Sequence, residues 1–143
     1  MATALDRVEA ILGRRRNGRW IRDPRKYMQY ILDGARTIKD PANWCQGAYA
    51  LDKRGQKLGT ARTRRAVRFC FLGALERATP EFREYDLCKQ LLAIGAGVPH
   101  DKLSALNDRP GEPKETYIAV IGAFAATIGI LKEAADDGRV PVA

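Results

Sequence analysis

The stretch that decides the fold is Tyr117-Ile118-Ala119-Val120-Ile121-Gly122-Ala123-Phe124-Ala125-Ala126-Thr127-Ile128-Gly129-Ile130-Leu131. Tyr117, Ile121, Phe124, Ile128 and Leu131 recur at alternating spacings of four and three, the period of a helix, and draw one apolar face. Ala119, Gly122, Ala126 and Gly129 draw a face of small residues beside it. Two apolar faces on one helix predict burial on most sides and a central place in the fold. The uncharged run from Ile118 to Leu131 holds 14 residues. A membrane span needs roughly 20, so a core helix is expected here and no membrane partner.

Working outward, the helix begins near Pro113, after the turn Asn107-Asp108-Arg109-Pro110-Gly111. A short helical turn is expected over 101–106. A helix entered at Thr79-Pro80-Glu81 turns Leu87, Cys88, Leu91 and Leu92 inward and stops near Gly95 or Gly97. Gly59-Thr60 reads as the entry to a helix over 61–78, with Thr60 as its cap. Before it the helical period fails, and Asp52-Lys53-Arg54-Gly55 signals a turn within a loop or small hairpin. Asp23-Pro24 opens a helix striped with Met28, Ile31, Leu32, Ala35 and Ile38, closed by Asp40-Pro41. Leu5, Val8, Ile11 and Leu12 mark a first helix over 3–13. The expected fold is all-α: an irregular single-domain bundle of five or six helices over 1–143, with a small loop or hairpin near 46–58. Residues 1–43 form a basic helical extension, 44–135 the core and 136–143 a tail.

The 143 residues are 45% apolar, too high a share for a disordered chain, and carry a formal charge of +8. Cys45, Cys70 and Cys88 give neither a disulfide framework nor zinc-ligand spacing. His100 is the single histidine, which excludes imidazole-based metal sites; no metal or other cofactor is expected. Asp6 and Glu9 interrupt any apolar leader, and with free thiols a cytoplasmic protein is expected.

The charge is unevenly placed. Residues 1–70 hold 17 basic and 6 acidic side chains, while 71–143 hold 8 and 11. Fourteen of the 25 basic residues fall in two windows. Arg14, Arg15, Arg16, Arg19, Arg22, Arg25 and Lys26 form the first; Lys53, Arg54, Lys57, Arg62, Arg64, Arg65 and Arg68 form the second. Arginines in the first turns of a helix oppose its macrodipole, yet with its free N–H groups they would make an anion site at Thr60, Arg62, Arg64, Arg65 and Arg68. The plainer alternative is a solvated face with Arg stems over apolar neighbours. In the first window Trp20 lies among Arg15, Arg19 and Arg22, a pattern that stacks bases and tracks phosphates, or else a simple core anchor. No recognised nucleic-acid motif is present.

For chemistry, the only nucleophile set is a cysteine with His100 and Asn107 or Asp108. Cys70, read as mid-helix, and Cys88 look like core residues with raised pKa, so no catalytic residue is assigned. Asn107-Asp108 is a turn, or the wall of a pocket.

The stretch Trp44-Cys45-Gln46-Gly47-Ala48, then Asp52 and Gly55, then Phe69-Cys70-Phe71-Leu72-Gly73-Ala74-Leu75, then Asn107-Asp108 resembles a family of small bacterial and phage-encoded proteins of unknown function. Its marks are W-x-Q-G-A, C-x-x-G-A-L and a later N-D pair. The resemblance covers about residues 44 to 130, implies a fold and little function, and singles out Trp44, Gln46, Cys70, Gly73, Asn107 and Asp108. Gly73 and Ala74 would let the last helix approach closely, with Gln46 and Asn107 holding two loops together. The expected function is a non-enzymatic basic module engaging a polyanion, foremost nucleic acid, through its first half. The alternatives are a small-ligand protein or enzyme with a pocket at Trp44, Gln46, Cys70, Asn107 and Asp108, and a homo-oligomer or phage/host protein-binding module.

Overall fold

The computed structural model describes residues 2–137, so most of the expected tail at 136–143 lies outside the described residues. Thr3 caps α1 (Ala4–Leu12), its hydroxyl accepting from Asp6 N while the Asp6 carboxylate accepts from Thr3 N. Asp23 caps α2 (Pro24–Thr37), with Pro24 at the first helical position, as the Asp-Pro pair implies. A 3-10 turn, Pro41–Asn43, leads to three short strands, β1 (Ala50–Leu51), β2 (Lys57–Leu58) and β3 (Arg68–Phe69). Four helices follow: α3 (Phe71–Ala78), α4 (Phe82–Ala96), α5 (Leu103–Asn107) and α6 (Pro113–Ala135). Gly97 ends α4 in the left-handed region at φ 70°.

The protein is thus mostly helical with a small antiparallel sheet in the order β2-β1-β3. The hairpin expected near 46–58 is β1-β2, turning through Asp52 to Gly55. The helix expected over 61–78 is not there: residues 61–67 are irregular, β3 follows, and the helix starts at Phe71 with Cys70 as its cap. Val67 N donates to the Leu51 carbonyl, and backbone pairing with β1 satisfies Arg68 and Phe69 in place of helical bonds. Side chains of α3 fasten the irregular stretch. Glu76 accepts from Thr60 Oγ1 and Ala61 N, and Arg77 donates to the carbonyls of Ala61 and Thr63.

One core runs through the helices, with α2 packed against α3 and α6, and α4 against α6. Phe71 and Phe124 meet edge to face at 5.2 Å in its middle. Residues 1–43 are no appendage, because Val8, Leu12, Tyr27, Ile31 and Ile38 are all buried in this core. Nor is α6 buried on most sides. Its buried stripe is Thr116, Val120, Ala123, Phe124, Thr127, Leu131 and Ala134, while Ile118, Gly122, Ala125, Ala126 and Gly129 are exposed. Among the described residues α6 alone is long and apolar enough to cross a membrane, by length and composition.

Two glycines permit close approaches. A Cβ at Gly95 would collide with Thr127 Oγ1 of α6, and one at Gly73 with the Tyr49 carbonyl oxygen. The partner of Gly73 is therefore the chain leading into β1, not α6. Gly73→Ala is expected to cost at least about 3 kcal/mol and to lower Tm by about 6 to 12 °C, measured by thermal unfolding.

Candidate functional site

Five of the residues marked by the sequence motifs, Trp44, Gln46, Cys70, Asn107 and Asp108, gather at the end of α5. Asn107 is 1% exposed, so its amide must find partners within the fold. Its Oδ1 accepts from Trp44 Nε1 at 2.8 Å and from Phe71 N at 2.9 Å. Its Nδ2 donates to Cys45 O at 3.1 Å and to Asp108 Oδ1 at 2.9 Å. Gln46 Nε2 donates to the Asn107 carbonyl at 2.9 Å, joining the two loops as the sequence suggests, and Gly47 N donates to Asp108 Oδ1 at 2.8 Å.

A pocket of about 170 Å³ beside this cluster is lined by Gly47, Ala48, Tyr49, Cys70, Ser104, Asn107 and Asp108. Its chemistry is poor. Cys70 caps α3 by accepting from Gly73 N at 3.2 Å, and burial pushes its thiol up to about 11 despite that bond. Burial likewise pushes Cys45 up to about 12. Neither is a thiolate near neutrality. The lining residues contain no histidine, so a cysteine–histidine pair does not form here. The cluster is a structural clasp.

The basic windows are arranged differently. In the first, an antiparallel bridge joins Arg14 to Trp20, and Arg15, Arg16 and Arg19 are exposed on the loop between. Arg14 is internal to the fold: it pairs with Glu9 at 3.0 Å and Asp137 at 2.8 Å, and its guanidinium covers the Trp20 ring at 3.9 Å. Trp20 is thereby a packed anchor. Arg22 lines a cleft of about 270 Å³ with Asp23, Lys26, Tyr27, Arg83, Glu84 and Ile21.

The second window lines a separate cleft of about 320 Å³, formed by Asp52, Lys53, Arg54, Gln56, Arg64, Arg65 and Val67. Its floor is the hairpin turn. Asp52 Oδ1 accepts from Gln56 N and Arg54 N, both at 2.9 Å, and Oδ2 accepts from Arg65 Nη2 at 3.3 Å. These bonds, the Gln56 N–H foremost, hold its carboxyl below the usual range. Lys53, Arg54 and Arg64 are exposed, and among the described residues none of them forms an ion pair. Lys57 and Arg68 stand opposite Leu51 on its two neighbouring strands, so the three share one face of the sheet and add two exposed cations.

The helix N-terminus expected to hold an anion at Thr60 to Arg68 does not exist. Thr60 is bonded to Glu76, and Arg62 caps the other end of α3, its Nε donating to the carbonyls of Glu76 and Thr79 at 3.2 Å. Lys53, Arg54 and Gln56, which the sequence reading left out of the site, come into it because the hairpin turn faces Arg64 and Arg65. The Asp52-to-Gly55 turn signal next to three basic residues was the available clue.

Two measurements check this account. Asn107→Ala orphans the buried Phe71 N–H and Cys45 C=O and is expected to lower stability by about 3 kcal/mol, read in denaturant unfolding. The thiols give a pH dependence. Below pH about 9 both native and unfolded chains keep the thiol protons; above it the unfolded chain releases them while native Cys45 and Cys70 retain theirs toward 11 to 12. Stability therefore falls as pH rises past 9, and alkylation at pH 8 requires unfolding.

A model of the family of unknown function DUF6197 matches residues 23–128, and the chain belongs to that family. The matched span takes in α2, so it starts earlier than the 44–130 stretch on which the sequence resemblance rests. No curated protein and no solved structure matches the chain.

Proposed function

We propose that this member of the family is a non-enzymatic binding module for a polyanion, foremost nucleic acid, and that the cleft between the β1-β2 turn and the 61–67 stretch is where it binds. The observation that carries this reading is the grouping of Lys53, Arg54, Arg64 and Arg65 around one carboxylate, Asp52, that is already neutralised by N–H donors and Arg65. Three of the four cations are left for an external anion. Guanidinium forks on adjacent segments suit phosphate oxygens, which they grip with paired N–H bonds.

The cleft contains no aromatic side chain, and both tryptophans are tied down, Trp20 beneath Arg14 and Trp44 through its Nε1. Base stacking therefore has no platform here, and the contacts favoured are with the sugar–phosphate backbone. Such binding is indifferent to sequence and governed by counterion release. Arg15, Arg16 and Arg19 on the exposed loop serve as a secondary contact outside the cleft.

The test is fluorescence anisotropy with a labelled duplex and a labelled single strand across a salt series. The expected log K against log salt is linear and steep. The triple variant Lys53→Gln/Arg54→Gln/Arg64→Gln is expected to reduce the slope by about 2 to 3 with no loss of Tm, because among the described residues none of these side chains forms an ion pair. A flat salt response, or a triple variant that binds like the parent, overturns the proposal.

A further inference from the structure

We infer that the outward face of α6 is an interface for a second copy of this chain, packed helix to helix in antiparallel orientation. The face consists of Ile118, 60% exposed, with Gly122, Ala125, Ala126 and Gly129, all exposed and uncharged. It is bounded by Lys114 and Glu115 at one end and by Lys132 and Glu133 at the other; among the described residues none of these four forms an ion pair.

The glycines carry the argument. Glycine inside a helix lowers its stability relative to alanine, and a fold retains it where a Cβ has no room. Gly73 and Gly95 have that reason, since their Cβ positions run into the Tyr49 carbonyl and Thr127, and a Cβ at Gly34 would press on the Phe124 ring at 3.3 Å. Gly122 and Gly129 do not, since a Cβ at either meets nothing within 4 Å. Among the described residues nothing calls for two glycines in the middle of the longest helix. A second helix backbone in close contact does.

The face fits its own inverted image. When two copies run antiparallel about a two-fold axis level with 123 and 124, Ile118 comes level with Gly129 of the other copy, and Gly122 with Ala125. The one large side chain of the face then lies over its smallest residue. At each end the Lys114-Glu115 doublet comes level with the Lys132-Glu133 doublet of the other copy, giving two ammonium and two carboxylate groups and no net charge. A parallel pair instead places Ile118 against Ile118 and Gly129 against Gly129, a wedge at one end and a gap at the other. Antiparallel macrodipoles also attract. The apolar groove between Pro41, Trp44, Pro113 and Tyr117, which shares Ile118 and Lys114 with the face, extends the contact at that end.

From Lys114 to Glu133 the helix is about 30 Å long. A single helix face of that length falls short of the roughly 800 Å² per partner of a standard interface, so the association expected is reversible and micromolar. Sedimentation velocity on the full chain should show monomer at low and dimer at high micromolar concentration. Gly122→Leu/Gly129→Leu, whose new side chains enter open space in the monomer, should stay monomeric throughout with unchanged circular dichroism. Under mild oxidation, an Ile118→Cys chain mixed with a Gly129→Cys chain should cross-link, while either alone should not. A parent chain that remains monomeric, a leucine variant that still dimerises, or cross-linking of Ile118→Cys with itself overturns the inference. So does a monomeric parent chain that floats with neutral phosphatidylcholine vesicles, which would make a lipid surface the occupant of this face.

Discussion

The amide of Asn107 is the constraint on which the rest of the structure depends. A primary amide offers two N–H bonds and two acceptor lone pairs, and all four are used: by Trp44, Phe71, Cys45 and Asp108. One side chain thereby fixes the chain leading into the sheet, the first residue of α3 and the turn after α5. From Phe71 the effect passes into the core, where its ring meets Phe124 of α6. Tyr117 adds a parallel tie: its ring lies 5.5 Å from Trp44, and its hydroxyl lies 2.7 Å from the carbonyls of Ile38 and Lys39 at the end of α2. The ends of α2, α5 and α6 are thus gathered by polar groups, and removing the Asn107 amide would leave the Phe71 N–H and the Cys45 C=O unpaired in a buried place. The same saturation leaves the Asn107 amide no free donor or acceptor.

How much of this was legible in the sequence depends on how local the cause was. Helices α1, α2, α4 and α6 declare themselves by apolar period, α2 also by its Asp23 cap and α4 by its terminal Gly97, because those signals reside within a few residues of where they act. The stretch 60–69 did not. Its conformation is imposed by Glu76, Arg77 and Arg62 bonding across 14 to 17 positions, and no local pattern contains that. One local signal pointed the right way. Four arginines in the opening turns of a supposed helix conflict with its dipole, and that conflict argued against the helix more strongly than it argued for an anion at its end. The members of the Asn107 cluster were visible as residues, and Gln46 with Asn107 as a pair. Their saturation was not, since it depends on a geometry that only folding supplies.

In α6 the sequence showed two apolar faces and implied that both are buried, but the covered stripe runs between them and takes only Phe124 and Leu131 of the large one, leaving Tyr117, Ile121 and Ile128 half-buried. That stripe, centred on Val120, Phe124, Thr127 and Leu131, makes the difference between the glycines informative. Gly95 is needed where α4 crosses Thr127, whereas Gly122 and Gly129 face open space. A residue that weakens its own helix and has no neighbour among the described residues points to a contact that they do not supply.

The two proposed surfaces make different physical demands, and the fold keeps them apart. The cleft at the β1-β2 turn holds four cations near one another, a repulsive arrangement that the buried carboxylate of Asp52 only partly offsets. Such charge is tolerable at an exposed turn, where solvent and salt screen it. The face of α6 is uncharged over its central residues and balanced at its ends, so its association should respond little to salt. A two-fold pair through α6 carries two clefts on one particle, and a polyanion long enough to reach both would meet the second at a high effective concentration. Dimerisation would then steepen the salt dependence of binding without altering a single contact inside either cleft, and shortening the nucleic acid until it reaches only one cleft would return the slope to that of the monomer.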